Sequence, residues 1–194
     1  MSFTRAELER LRDASIPDLV EPGIRLLFVG INPGLWTAAT RTPFAHPGNR
    51  FYPALVAAGI LPRMPDFARG FDDADRAELL AAGIGISNLV NRATARADEL
   101  SAQELRDGAV RLAADVARWR PPVVAIVGIT AYRTAFRRPR AAAGRQPEDL
   151  GGAELWVVPN PSGLNAHDTV ATLARAYAEP ARAAGLPTSA RMET

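Results

Sequence analysis

Two apolar runs that each end in an Asn-Pro pair constrain the fold more than any other feature of this chain. The first run, residues 24–29, leads into Gly30-Ile31-Asn32-Pro33-Gly34, and the second, residues 155–158, leads into Pro159-Asn160-Pro161-Ser162-Gly163. Short apolar runs bounded by turn residues indicate buried strands. If the two strands are parallel neighbours, both asparagines lie at one edge of a sheet, the edge at which open α/β sheets bind ligands.

Helical patterns alternate with strand patterns along the rest of the chain. We predict helices over residues 4–13, 49–58, 73–82, 101–120, 130–136 and 168–178, and further strands over 83–90 and 123–127. Thr4, Asp168 and a capping box at Ser101 and Glu104 mark three of the helix starts. This alternation predicts an α/β protein with three layers, α/β/α, around a central, mostly parallel sheet of about four strands.

The remaining segments are predicted to be the connections and ends of a single domain, residues 1–194, whose length is sufficient for a sizeable core. A long loop runs from Asn32 to about Pro47, and loops of this length are usually functional. A connector spans residues 60–73, and residues 137–152 are predicted to be an exposed loop. We expect residues 1–20 to form an N-terminal helical extension and residues 186–194 to form a loose tail.

The composition excludes several kinds of chemistry. The chain has no cysteine, which rules out disulfides, thiolate-bound zinc and cysteine-ligated iron–sulfur clusters. Its two histidines, His46 and His167, argue against a histidine-rich metal site, and its 23 basic residues are all arginine, so no lysine can form a Schiff base. Because the net charge is only +2, any contact with nucleic acid must come from a local group of arginines.

The sequence shows neither a membrane-spanning nor an export segment. No apolar stretch approaches the ~20 residues that cross a bilayer, and the residues from Met1 to Arg5 do not begin a signal-peptide pattern. We therefore expect a cytoplasmic protein that does not contact membranes.

The residues that follow the two strands suit a flat, polar, uncharged ligand. Asn32 and Asn160 each carry one acceptor and two donors. Phe44 and Trp36 offer faces for stacking, and the glycine-rich backbone brings N–H donors close to a ligand. A pyrimidine base matches these groups with its carbonyl oxygens and its N–H edge. Neither a Walker loop nor the dinucleotide-binding glycine pattern follows the first strand, which argues against a nucleotide-binding regulatory domain.

Three segments resemble a known family in register. Residues 30–35 read GINPGL, residues 43–51 read PFAHPGNRF and residues 160–164 read NPSGL. Together they resemble the motifs of the mismatch-specific uracil/thymine DNA glycosylases, in particular the bacterial branch, and the resemblance extends from residue 23 to residue 177. Other uracil glycosylase classes differ, since two of them carry an iron–sulfur cluster. The main uracil-specific class reads Asp-Pro-Tyr-His where this chain reads Asn-Pro-Gly-Leu.

The resemblance implies a uracil-DNA glycosylase-like fold and a monofunctional DNA glycosylase. Such an enzyme flips a nucleotide out of mismatched duplex DNA. It then hydrolyses the N-glycosidic bond of uracil, of related lesions such as ethenocytosine and, more weakly, of thymine, and so initiates base excision repair. The resemblance implies no metal or organic cofactor, a monomer, and double-stranded DNA with a G:U or similar mismatch as the partner. A chain without lysine fits an abasic site as the product.

The resemblance also assigns roles to individual residues. Asn32 matches the catalytic asparagine, which orients the attacking water but brings no negative charge to an oxocarbenium-like transition state, so we expect a slow enzyme. Leu164 matches the wedge that fills the gap left in the base stack. The other assignments are substrate contacts at Ile31, Thr37, Phe44 and Asn160, and DNA contacts at Ser162, Gly163, Asn165 and Arg50.

The chain departs from the family pattern at one informative place. Well-known members carry an arginine two residues after the wedge leucine, and this chain has Ala166 there. Either the dependence on an opposite guanine is relaxed, or Asn165 takes over the contact. The remaining charged candidates are Arg92 and Arg96 as phosphate contacts, and Asp98 and Glu99 as an auxiliary acid.

Two further interpretations remain open. The same fold could excise hypoxanthine or another deaminated purine, or the protein could be a non-catalytic sensor that flips and holds a damaged base. Cleavage of modified duplexes separates the two enzymes. A sensor would keep its function when Asn32 is replaced by alanine.

Overall fold

The computed structural model of the chain describes residues 3–65 and 71–189. The strands are β1 (Leu26–Gly30), β2 (Ile84–Asn88), β3 (Val123–Val127), β4 (Gly144–Arg145) and β5 (Glu154–Val158). The helices are α1 (Arg5–Glu9), α2 (Leu35–Thr40), α3 (Phe51–Ala57), α4 (Asp73–Ala81), α5 (Ala102–Trp119), α6 (Ile129–Ala135) and α7 (Val170–Ala183). Parts of the predicted connector and of the predicted tail, residues 66–70 and 190–194, lie outside the described residues.

The five strands form one sheet in the order β2-β1-β3-β5-β4. The first four are parallel, and β4 pairs antiparallel with β5. Successive residues of β1 face opposite sides: Leu26 and Phe28 pack with α3, α4 and α7, whereas Leu27 and Val29 pack with α5 and α6. The predicted three-layer architecture with a mostly parallel sheet is therefore confirmed.

The two strands that precede the Asn-Pro pairs are not neighbours, because β3 lies between β1 and β5. That part of the prediction is wrong. However, β3 is followed by Gly128, which has a φ of 122° and no side chain. A Cβ atom there would lie 3.5 Å from Ile31 Cδ1 and 3.8 Å from Asn160 Nδ2. These are ordinary van der Waals distances, so glycine is favoured here by the φ of 122° and not by a lack of space. The loops after β1 and β5 both lie within contact distance of the end of β3.

Two elements form inside segments predicted to be loops. Strand β4 lies within residues 137–152, where Gln146 is buried and its backbone N–H donates to Leu155 O over 2.7 Å. Pairing with β5 creates this strand, and two residues are too few to show a strand pattern in the sequence. Helix α2 occupies part of the predicted long loop and ends at Arg41, which has a left-handed φ of 51°.

The last helix begins later and runs further than predicted. Thr169 caps α7 in place of Asp168, because the Thr169 side chain accepts a hydrogen bond from Thr172 N over 3.2 Å. The helix continues through Pro180, since its buried face extends as far as Ala181. The predicted caps Thr4 and Ser101, by contrast, are confirmed.

Both ends of the described chain pack against the sheet and its helices. Near the N-terminus, Leu19 forms an antiparallel bridge with Ile86 of β2. Near the C-terminus, Leu186 is buried and Ser189 N donates to Ala58 O over 2.7 Å. Residues 186–189 of the predicted loose tail are therefore packed. None of the described helices is long and apolar enough to cross a bilayer.

Candidate active site

The carboxyl ends of β1, β2, β3 and β5 open into a cavity of about 720 Å³. Asn32 and Asn160 both line it, so the structure brings together the two asparagines that the sequence pairs. The other predicted site residues in its wall are Ile31, Thr37, Phe44, Ser162, Gly163 and Leu164.

The side chain of Asn32 is held in one orientation. Its Nδ2 donates to Arg92 O over 2.8 Å and to Thr94 Oγ1 over 2.7 Å. Arg92 O can only accept, and Thr94 Oγ1 already donates its own hydrogen to Arg96 O over 2.7 Å. The atom that faces both must therefore be the amide nitrogen. Oδ1 of Asn32 remains as an acceptor that no described residue uses.

The segment that follows β2 is the platform for the Asn32 loop. The N–H groups of Leu89, Val90 and Thr94 donate to the carbonyls of Gly30, Ile31 and Pro33 over 2.9, 2.9 and 3.2 Å, respectively. Thr94 itself is only 1% exposed. Sequence reasoning gives Thr94 no role, and the one available signal is its position in a polar loop at the end of a predicted strand.

A third asparagine, which sequence reasoning did not single out, lies in the cavity wall. Asn88 is the last residue of β2, the neighbour of β1. A Cβ atom at Gly30 would lie 2.7 Å from Asn88 Oδ1 and 3.2 Å from Phe44 Cζ. Glycine at position 30 therefore leaves room for both side chains. The rule that located Asn32, a polar residue at the carboxyl end of a parallel strand, also applies to Asn88, but the predicted strand ran to residue 90 and so hid Asn88 inside it.

Phe44 presents its ring to the cavity from an unusual backbone conformation. Its φ of 58° is left-handed, which is rare for a bulky residue and occurs mainly where the surroundings impose it, often at functional sites. The ring stacks on Phe51 with centroids 4.1 Å apart and planes 23° apart. The buried Tyr52 donates its hydroxyl hydrogen to Pro43 O over 2.9 Å, which fixes the residue before Phe44.

Asn160 is held by its own loop. Its Oδ1 accepts from Ser162 N over 3.0 Å, so Nδ2 remains as a donor at the cavity wall. The buried Tyr177 donates to Pro159 O over 3.0 Å. Burial raises the pKa of Tyr52 and the pKa of Tyr177. Both phenols therefore stay protonated near neutral pH and remain donors to the two loops.

Residues 161–168, the wedge loop, present Leu164 to solvent with 89% of its surface exposed. Arg50 holds this loop, because its Nη2 donates to Ser162 O and Asn165 O over 2.6 Å each and its Nη1 donates to Asp168 O. These bonds occupy the terminal nitrogens of the guanidinium. Arg50 therefore supports the wedge loop in this structure, and its contact with DNA stays a prediction.

The side chain of Asn165 is also used inside the wedge loop. Its Nδ2 donates to Asn160 O over 2.9 Å and to Asp168 Oδ2 over 2.7 Å. Gly163 is closely packed, since a Cβ atom there would lie 3.0 Å from Gly48 O. The loop is thus tied to the segment that carries Phe44 as well as to its own ends.

The other charged candidates form ion pairs. Arg92 pairs with Asp13 at 2.7 Å and with Glu104 at 2.8 Å, Arg96 pairs with Asp98 at 2.6 Å, and Glu99 pairs with Arg12. Hydrogen bonding to Arg12 lowers the pKa of Glu99. Asp98 and Glu99 do not line the cavity, whereas Glu9 of α1 does. Within the described ranges, no group of three or more His, Asp or Glu residues could hold a metal ion.

The two predicted residues of α2 differ in their surroundings. Thr37 is 8% exposed and lies in the cavity wall. The ring of Trp36 packs edge-on against Phe3 and His46, with centroids 5.1 and 5.9 Å away. Trp36 therefore belongs to an aromatic cluster at one side of the cavity.

A mostly parallel sheet whose strand ends open into a cavity of uncharged amides and an aromatic ring defines an α/β enzyme for a flat, polar ligand. The chain belongs to the uracil DNA glycosylase superfamily, whose family model matches residues 17–180. It is therefore a DNA glycosylase, a hydrolase of N-glycosyl bonds.

The fold is also similar to a solved structure. A candidate uracil DNA glycosylase from Methanosarcina acetivorans, determined by solution NMR, superposes with a TM-score of 0.53 at 14% sequence identity. The match covers 84% of this chain and 97% of that chain. At this identity the likeness concerns the fold alone.

Proposed function

We propose that this enzyme is a monofunctional glycosylase of the mismatch-specific type, which excises uracil from duplex DNA and leaves an abasic site. Ethenocytosine and, more weakly, thymine are the further substrates. Asn32 is the catalytic residue, Phe44, Ile31, Thr37 and Asn160 contact the base, and the wedge loop contacts the DNA.

The fixed amide of Asn32 is the observation that carries this proposal. With Nδ2 held by Arg92 O and Thr94 Oγ1, the free Oδ1 can accept a hydrogen bond from a water molecule and aim that water at the sugar of a bound nucleotide. An amide neither takes up a proton nor stabilises the positive charge that develops on the sugar. The rate therefore depends mainly on how readily the base departs.

Other groups in the cavity wall suit uracil as the departing base. The ring of Phe44 provides a stacking face, and Asn160 Nδ2 provides a donor. The backbone N–H of Phe44 is a further donor that none of the described residues uses. Donors of this kind stabilise the negative charge that develops on the uracil oxygens as the bond breaks.

The wedge loop supports action on double-stranded DNA. Extruding a nucleotide costs a few kcal/mol, and less at a mismatch or a damaged base. Leu164, 89% exposed at the cavity mouth, can fill the space that the extruded nucleotide leaves in the stack. Because Arg50 already holds the wedge loop in one conformation, the loop needs little further ordering when the DNA binds.

We infer that the preference for G:U comes from the ease of opening a wobble pair and not from a side chain that reads the opposite guanine. Ala166 has no hydrogen-bonding side chain, and the amide nitrogen of Asn165 is bonded to Asn160 O and Asp168 Oδ2. Activity on other weakly paired uracils should therefore be retained.

A cleavage assay on labelled duplexes tests the proposal. The duplexes carry uracil opposite G, opposite A or unpaired, ethenocytosine, thymine opposite G, or hypoxanthine. We expect strand breaks only after heating in alkali, with uracil opposite G among the best substrates. Asn32→Ala should lower the single-turnover rate by about 100-fold or more with DNA binding retained. Gln103→Ala, an exposed amide on α5, is the matched control.

Other outcomes of the cleavage assay would contradict the proposal or favour one of its alternatives. Breaks before alkali treatment would show lyase activity and contradict a monofunctional enzyme. A preference for hypoxanthine would favour the deaminated-purine alternative. Tight binding of damaged duplexes without any cleavage would favour a sensor.

A further inference from the structure

The N-terminal segment forms one wall of the cavity, although it precedes the region that the superfamily model matches. Arg5, Leu8 and Glu9 line the cavity, whereas the match begins at residue 17. We propose that residues 3–9 are part of the substrate site and that Arg5 binds a phosphate of the strand that carries the extruded nucleotide. This inference rests on the proposed function.

Arg5 differs from the other charged residues of the cavity wall. Arg96 pairs with Asp98 at 2.6 Å, and Glu9 pairs with Arg12 at 2.8 Å. No carboxylate within residues 3–65 and 71–189 pairs with Arg5. Glu9 shares Arg12 with Glu99, so the wall is not positive as a whole, but the guanidinium of Arg5 remains available to bind an anion.

The segment that carries Arg5 is anchored on both sides. Before Arg5, Phe3 packs edge-on against Trp36 with ring centroids 5.1 Å apart. After α1, Asp13 N donates to Ala93 O over 2.9 Å, immediately before Thr94 in the platform that holds Asn32. The backbone position of Arg5 relative to Asn32 is therefore set by the fold.

The distribution of charge in the cavity determines which part of a nucleotide Arg5 contacts. The base-binding side, with Asn32, Asn88 and Asn160, is uncharged and suits a neutral base. The charge of a nucleotide in DNA resides on its phosphates, and the planar guanidinium fork matches phosphate oxygens. Arg5 therefore suits the phosphodiester next to the extruded nucleotide.

The test compares Arg5→Ala with Arg10→Ala. Arg10 follows α1 directly, is exposed and does not line the cavity, so its variant controls for the loss of one positive charge. Binding is measured by fluorescence anisotropy over a salt series, with an undamaged duplex and with a duplex that carries 2′-fluoro-2′-deoxyuridine opposite G, which resists hydrolysis. The single-turnover rate is measured on a uracil duplex at saturating enzyme.

We expect Arg5→Ala to weaken binding to the fluorinated duplex about tenfold. The slope of log K against log salt concentration should fall by about 0.9. Binding to the undamaged duplex should fall by less than binding to the fluorinated duplex, because a stacked nucleotide does not enter the cavity that Arg5 lines. The single-turnover rate at saturating enzyme should fall by no more than the affinity for the fluorinated duplex. Arg10→Ala should leave all these quantities unchanged.

Three results would overturn the inference. Equal losses in the two variants, or equal losses on the two duplexes, would show that only overall charge matters. A lower single-turnover rate at unchanged affinity would mean that Arg5 acts on the departing base. Failure of the wild type to cleave uracil would instead overturn the proposed function, and is recognised before any variant is made.

Discussion

In the proposed reaction, the chemistry of the site depends on one amide side chain. Asn32 presents a neutral acceptor because its nitrogen is bonded to Arg92 O and Thr94 Oγ1. A carboxylate at this position would place an acceptor against the carbonyl of Arg92, and two acceptors in contact leave both groups unsatisfied. The surroundings of Asn32 therefore favour an amide over an acid, independently of the reaction.

Replacing Thr94 by valine tests the role of this orientation. Valine keeps the shape of the buried side chain but cannot accept from Asn32 Nδ2. We expect the single-turnover rate on a uracil duplex to fall about tenfold, the effect of about one hydrogen bond, while DNA affinity is unchanged. Rapid-quench kinetics and anisotropy measure the two quantities.

Thr94→Ser is the matched control, because serine retains the hydroxyl and should restore most of the rate. A valine variant as fast as the wild type would show that Arg92 O alone holds the amide. A loss of affinity equal to the loss of rate would point to a disturbed loop instead.

At this scale the sequence identified Asn32 but not its partners. Asn32 follows a recognisable strand, so its position at the sheet edge can be predicted from local pattern alone. Its hydrogen-bond partners are 60 and 62 residues further along the chain, and they depend on how the loop after β2 turns. A carbonyl has no sequence signature, and a buried threonine is equally common in cores without a site.

At the scale of secondary-structure elements, two helices position the two loops of the site. Tyr52 of α3 bonds Pro43 O, and Tyr177 of α7 bonds Pro159 O. The same helices pack against each other, with the rings of Phe51 and Tyr177 5.9 Å apart. The distance between the Phe44 loop and the Asn160 loop is thus set by the contact of α3 with α7.

Arg50→Lys tests whether the wedge loop needs its internal support. A lysine ammonium cannot reach three separate carbonyls as the guanidinium fork does. The readout is the fluorescence of a 2-aminopurine placed beside a G:U pair, which rises when the nucleotide is extruded. We expect this rise to be several-fold smaller with the variant than with the wild type, because the loop no longer holds Leu164 in place. Leu164→Ala should reproduce this defect.

Arg63→Lys, at an exposed ion pair with Glu78, is the control for an Arg-to-Lys change. Thermal unfolding of each variant shows whether the defect is local. If Arg50→Lys flips the nucleotide as well as the wild type, the loop does not depend on the guanidinium.

The sequence predicted those elements that bury a regular apolar pattern. β1, β3 and β5 follow from their apolar runs, and the Ser101 capping box marks the start of α5. β4 and α2 could not be predicted. The first has two residues and forms through pairing with β5, and the second has six and packs against α1. Both elements form through contacts with segments distant in the sequence, and both are too short to show a periodic pattern.

At the scale of the whole molecule, stability depends on Asp18, a half-buried acid whose one ion pair, with Arg111, is long at 4.0 Å. Asp18 Oδ1 is buried and has no hydrogen-bond partner within the described chain. Burial raises the pKa of Asp18, and Ser87 and Arg111 offset part of that rise. The fold therefore favours the protonated form, so its stability is reduced once the pH exceeds the raised pKa and recovers as the pH falls through it.

Asp18→Asn should therefore stabilise the protein, because asparagine resembles the protonated acid. At pH 8 we expect the free energy of unfolding to rise by about 1 kcal/mol, the low end for an unpaired acceptor, because Asp18 is partly exposed. The gain should be smaller at pH 5, because a lower pH moves Asp18 of the wild type towards its protonated form. Urea unfolding at the two pH values measures it.

Asp149→Asn, at an exposed site, controls for the change in net charge and should alter stability little at either pH. A gain that grows as the pH falls would contradict the assignment, since it would mean that the carboxylate of Asp18 stabilises the fold.

Gly128, at the end of β3, affects the width of the site although it belongs to neither asparagine loop. β3 runs between the two strands that supply Asn32 and Asn160, and the φ of 122° at Gly128 would strain any residue that carries a side chain. A substitution there should therefore change the turn that both loops contact. Variation in the walls can change which lesion is accepted. Variation at this glycine would shift the Asn32 loop and the Asn160 loop relative to each other while leaving both asparagines in place.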